Sequence, residues 1–130
     1  MTPSEKSIAK SLIVVAWADG KYEAPEESMI DALLWAFGAS EEEEAELRKF
    51  ASKKRKLKDD IPFDDLAADD RQLLLAHAAL LTHADGKQTK AEVKLLDTLV
   101  ELLGFPEEAA RPIIEKAAER ASKLAEKLRG

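Results

Sequence analysis

An internal repeat of polar junctions constrains this chain more than any other feature. Trp17-Ala18-Asp19-Gly20-Lys21, followed by Glu26 and Asp31, returns as His83-Ala84-Asp85-Gly86-Lys87, followed by Glu92 and Asp97. Matched residues keep one offset (85 − 19 = 66, 92 − 26 = 66, 97 − 31 = 66), and the register runs on through Leu33/Leu99, Gly38/Gly104, Glu41/Glu107 and Glu42/Glu108. A repeat of core positions alone would keep only apolar residues. This one also keeps acids and glycines, so the junctions between elements matter as well as the packing.

The punctuation between the junctions is helical. Ser4 reads as the N-cap of a helix running to about Ala18, with Ile8, Leu12, Val15 and Ala16 inward and Gly20 closing it. A second helix starts near Ala24 with Pro25 in its tolerant first turn, and carries Ile30, Leu33, Leu34 and Phe37 at helical spacing before Gly38 stops it. Ser40 with Glu43 forms a capping box for a third helix, expected to end near Lys56. The stretch Lys58-Asp59-Asp60-Ile61-Pro62 reads as a loop joining two copies at about 4–57 and 66–128. A helix from about Ala68 to Ala84 is apolar nearly all round and should be the central one. Thr89 with Glu92 caps the next, whose stripe Leu96, Leu99, Val100 and Leu103 ends at Gly104. Pro106 and Pro112 should bracket a short or kinked segment before a last amphipathic helix to Leu128. No stretch alternates as a strand does. The reading is all-α, one domain over 1–130, six to seven helices in two pseudo-symmetric halves.

Composition narrows the function. With no cysteine among 130 residues, disulfides, thiolate metal sites and cysteine nucleophiles are excluded. A net charge of −6 argues against nucleic-acid binding through basic surfaces. No apolar run reaches the roughly 18 residues of a membrane span, and Met1-Thr2-Pro3-Ser4-Glu5-Lys6 lacks the charge pattern of a signal peptide. A cytoplasmic protein is expected. There is no Gly-rich phosphate loop, no serine nucleophile with a base and no His-Glu-x-x-His, so no catalytic constellation is visible and the chain reads as a non-enzyme.

The junction acids are the candidate ligands. An Asp at a helix C-terminus meets the negative end of the dipole, at a cost of a few tenths to about 1 kcal/mol, so something should offset it. Lys21 and Lys87 do so in part; a cation or the next helix's free N–H groups would do so better. Glu92 has a capping-box reason to stand three residues after Thr89, whereas Glu26 follows Glu23, a poor cap, and is kept regardless. Structural locking of the loop and ligation of a hard cation both stay open. Asp31 and Asp97 lie on the shoulder of their stripes, where a solvated or inter-helix ion pair competes with an outer ligand role. An EF-hand fails, because the loop from Asp19 to Glu26 is too short and its ladder of ligands is absent.

His83 and His77, with Asp85, could suggest a transition-metal site. Six residues on one helix do not share a face, however, and Trp17 stands where the first copy would need His83's twin. Glu41-Glu42-Glu43-Glu44 followed by Lys53-Lys54-Arg55-Lys56 suits the helix dipole, and the basic end could also face an acidic partner or an anionic membrane.

The doubled Ala-Asp-Gly-Lys…Glu motif, leaving an apolar helix and opening an amphipathic one that ends in glycine, resembles the TerB-like family. That family includes the tellurite-resistance protein TerB and a related domain of membrane-anchored DnaJ-type co-chaperones. The resemblance covers nearly the whole chain; no J-domain or membrane anchor is read in these residues, so the co-chaperone role is not expected to transfer. It implies a bacterial, cytoplasmic, stress-associated domain of two related halves, with a protein partner in a membrane-associated complex. It also implies metal ligation by the acids of the motif, which fall here on Asp19, Glu26, Asp85 and Glu92. Oxygen donors favour Ca²⁺, Mg²⁺ or Mn²⁺, with Zn²⁺ only if His83 joins. The alternative is a non-catalytic helical interaction module whose junction acids are structural.

Overall fold

The computed structural model describes residues 1–18, 24–82 and 89–129, and side chains for these except 24–26, 29 and 124–129. Among the described residues there are seven α-helices, one 3-10 turn and no strand. The helices are α1 (Pro3–Ala18), α2 (Ala24–Ala36), α3 (Glu41–Ala51), α4 (Leu57–Asp60), α5 (Ala68–Leu81), α6 (Lys90–Leu103) and α7 (Glu107–Arg129); the 3-10 turn is Phe63–Asp65. The protein is a single all-α domain.

Capping chemistry sets the helix starts. Ser40 with Glu43 and Thr89 with Glu92 form complete capping boxes at the heads of α3 and α6. At α1 the box belongs to Thr2 and Glu5 rather than to Ser4: Thr2 Oγ1 accepts from Glu5 N–H at 3.1 Å, and Glu5 Oε1 accepts from Thr2 N–H at 2.8 Å. Pro3 then occupies the first helical position, where its missing N–H is harmless. Ala67 has no side-chain acceptor, so α5 keeps half a box, with Asp70 Oδ2 accepting from Ala67 N–H at 2.9 Å.

Two helix ends repeat as well. Gly38 (φ 71°) and Gly104 (φ 78°) are left-handed. Around them Ala39 N–H donates to Leu34 O at 3.0 Å and Phe105 N–H to Val100 O at 3.2 Å. These are the long-span bonds of a Schellman motif. Equivalent elements keep the sequence offset: α2 and α6 start 90 − 24 = 66 residues apart, and α3 and α7 start 107 − 41 = 66 apart.

Beyond the cap of α1, three expectations are corrected. First, α3 ends at Ala51, not near Lys56, because its last carbonyls are taken by side chains. Ser52 Oγ donates to Lys49 O at 2.6 Å, Arg55 Nε to Phe50 O at 2.9 Å, and Trp17 Nε1 to Ala51 O at 2.9 Å. Second, the connector is not a bare loop. It folds as α4 and the 3-10 turn, with Leu57, Ile61 and Leu66 buried in the core. Third, α7 continues through Pro112, where proline removes the bond to the carbonyl of exposed Glu108 in the helix's first turn.

α5 is central, packed against α1, α6 and α7, but α1 is the more enclosed helix. α1 buries Ser7 to Ala16 with the exception of Lys10, and Ser11 Oγ satisfies itself on Ser7 O at 2.7 Å. α5 packs between α1 and α7 but leaves Leu73 41% exposed. α1 also touches α2, α3 and α4, so both halves of the chain build one core around it.

Candidate ligand site at the Asp-Gly junctions

Of the four inner candidates, Asp19 and Asp85 lie outside the described residues, as does His83. Glu26 belongs to the first turn of α2, and its side chain is likewise outside. Glu92 is described, and its position is unusual. It heads the buried stripe Leu96, Leu99 and Leu103 of α6 and is only 5% exposed. Its Oε1 accepts from Thr89 N–H at 2.9 Å, while its own N–H donates to Thr89 Oγ1 at 3.1 Å. No cationic side chain among the described residues pairs with it. A carboxylate placed inside with one bond on one of its two oxygens is what a cation site and a buried cap have in common.

The outer candidates are set apart from it. Asp31 meets Arg48 of α3 at 3.5 Å, and the same guanidinium reaches Glu27 at 3.9 Å. The three rim a cleft of about 280 Å³ floored by Ile13, Ile30 and Leu47. The ion pair reads as a link between α2 and α3. Asp97 lies at the matching cleft between α6 and α7, about 180 Å³, but position 48 + 66 = 114 is Ile114, so the pair does not repeat. Arg111 in that cleft turns instead to Glu107 at 3.0 Å. His77 is half-buried on α5, and burial together with the Arg120 charge lowers its pKa from the usual value. A neutral imidazole facing a cation suits packing between α5 and α7. Among the described residues no three His, Asp or Glu side chains converge as a metal cluster.

Two side chains, Arg71 and Trp17, tie the junction region together through long-range bonds that local patterning did not show. Arg71, in the first turn of α5, donates to Leu66 O at 3.1 Å, Phe63 O at 2.9 Å and Leu103 O at 2.9 Å, fastening the connector to the end of α6. Nothing local marks it, because its partners lie in three other segments. Trp17, the residue before Ala18-Asp19, reaches across to the last carbonyl of α3. Beside it, a groove of about 460 Å³ runs between Lys54-Arg55-Lys56 and the Lys94 face of α6. Residues flanking both junctions, Ala18 on one side and Ala91 on the other, line this same groove.

Comparison with curated proteins and with solved structures returned no match. A family model described as Tellurite resistance protein TerB matches residues 5–114, from the first turn of α1 into α7, and so spans both junctions and the clefts beside them. On that match and the all-helical architecture, the chain belongs to the TerB family, the tellurite-resistance-associated helical domains.

Proposed function

We propose that this chain is a cytoplasmic, non-catalytic stress-response domain that binds a divalent cation at its Asp-Gly…Glu junctions, through Asp19, Glu26, Asp85 and Glu92. The observation that carries this is Glu92, a nearly buried carboxylate with no positive partner among the described residues. Burying such a charge costs several kcal/mol unless a counter-charge meets it. The donors are oxygens and the chain has no cysteine, which suits Ca²⁺, Mg²⁺ or Mn²⁺, with Zn²⁺ requiring His83. A bound ion would neutralise the junction carboxylates and hold the two helix-to-helix turns in fixed positions. The domain would then present a defined surface to a protein partner in a membrane-associated complex.

The capping box at Thr89 favours a second reading, in which Glu92 only caps α6 and the domain is an interaction module. Glu92→Gln separates the two, since glutamine at this position keeps both cap bonds and removes the charge. Metal-stripped protein is titrated with Ca²⁺, Mg²⁺, Mn²⁺ and Zn²⁺ during thermal unfolding, beside Glu92→Gln and Asp19→Asn/Asp85→Asn. On the cation reading, an ion at a hundred times its Kd adds about 2.7 kcal/mol, several degrees in Tm, and both variants lose that gain. A Tm that no ion moves, in wild type as in variants, leaves the capping reading standing and the cation reading refuted.

A further inference from the structure

The chain does not leave the molecule where α3 stops. Arg55 folds back so that its guanidinium lies 3.8 Å from the Phe50 ring centre and pairs with Asp60 at 3.8 Å, while Nε holds Phe50 O. Asp60 Oδ2 also accepts from Lys56 N–H at 2.7 Å. These bonds fix the backbone of the basic run. Lys54 and Lys56 therefore stand on a set edge of the groove, with Lys94 on the opposite wall and Trp17, Leu57 and Leu95 as its apolar lining. The N-terminal turn of α6, the positive end of that helix, opens onto the same groove at Ala91.

The charge pattern is what makes the groove specific. Ion pairs tie Lys6 and Lys10 to Glu46, Arg48 to Asp31 and Lys123 to Glu119, whereas several exposed lysines, Lys49, Lys53, Lys58, Lys90 and Lys116 among them, lie outside the groove; Lys54, Lys56 and Lys94 differ from these in lining it together. Lys54, Lys56 and Lys94 are exposed, and among the described residues no carboxylate lies within ion-pair distance of them. Cations on two elements distant in sequence converge on one concave, partly apolar surface. We infer that this groove docks a short acidic segment of a partner protein, its carboxylates on Lys54, Lys56 and Lys94 and an apolar side chain against Trp17, Leu57 and Leu95. A long polyanion would meet the net charge of −6 beyond the groove. A bilayer surface is too flat to enter a concave site, whereas an extended peptide fits both the local charge and the shape. The inference rests on the partner half of the function proposed above and is independent of the cation half.

The test uses the full chain in chelator, so that the fate of the cation reading has no bearing on it. Trp35, 85% exposed, is replaced by Phe to leave Trp17 as the sole indole. The probe is a synthetic peptide of glutamates and aspartates interrupted by leucines, with its glutamine and asparagine counterpart as control. The expected result is a saturable change in Trp17 emission that weakens with salt and is absent with the control peptide. Lys54→Glu/Lys56→Glu/Lys94→Glu should weaken binding roughly tenfold or more, with Lys94→Gln giving a smaller loss and both variants unfolding at the wild-type midpoint. The inference is overturned by no saturable change, by equal binding of the amide peptide, or by indifference to charge reversal. Charge-dependent binding to phosphatidylglycerol vesicles without binding to the peptide would also overturn it, in favour of a membrane surface.

Discussion

At Gly104 the backbone sits at φ 78°, and a Cβ built there would meet nothing within 4 Å. Any penalty for a side chain is therefore conformational rather than steric. Gly104→Ala should cost about 1 kcal/mol, seen by circular dichroism as a Tm lower by about 3–5 °C. Gly104→Asn should lose less, because asparagine tolerates the left-handed region. An alanine variant melting with the wild type would mean that α6 does not need its Schellman end. Gly38 and Gly104 could be read from the chain because their chemistry is local: a glycine directly after an apolar stripe. The same holds for Ser40 with Glu43 and Thr89 with Glu92, where acceptor and donor are three residues apart. Glu92 was legible both as a candidate and as heading the inward stripe, one turn before Leu96; the structure adds that it is 5% exposed. Asp19 and Asp85 were named by the repeat alone, and they remain outside the described residues.

Most helices stopped where the sequence placed them, α1 at Ala18 and α2 and α6 just before Gly38 and Gly104, while α3 stopped early. The cause is reach. The end of α3 is set by Trp17, 51 − 17 = 34 residues away from Ala51, and no window along the chain contains both. Arg71 shows the same thing more strongly, with one guanidinium serving three carbonyls from the 3-10 turn, the connector and α6. Arg71→Met keeps most of the stem and strands those acceptors, so it should destabilise the protein by about 2–3 kcal/mol in urea unfolding. A loss below about 0.5 kcal/mol would mean that water satisfies these carbonyls as well as Arg71 does. Pro112 was misleading for the opposite reason. Its rule is local, yet the carbonyl it strands faces solvent, so the helix carries on past it.

For the molecule as a whole, pH should act in two separate windows. His77 has a folded-state pKa below the ordinary 6.5, through burial first and Arg120 second. Above that value both folded and unfolded chains are neutral at this site. As pH falls below it, the unfolded chain takes up the proton first and stability drops, levelling off once pH passes the folded value. His77→Gln should flatten this slope in a series of Tm measurements against pH; equal slopes for variant and wild type would refute the assignment. Lower down, Glu43 is held below its ordinary 4.5 by the Ser40 N–H and Glu46 by Lys6, so their contributions are full above 4.5 and vanish as pH falls through the lowered values. The enclosure of α1 has a further consequence, for biosynthesis. Its apolar run ends at Ala16, and α5, one of its main covers, begins at Ala68, which is 68 − 16 = 52 residues later. At a ribosome speed of about 5–20 residues per second, this apolar helix emerges and waits roughly 3–10 s for α5, with only α2, α3 and α4 to cover it meanwhile. During that interval an apolar face meant for the core is open to whatever meets nascent chains first.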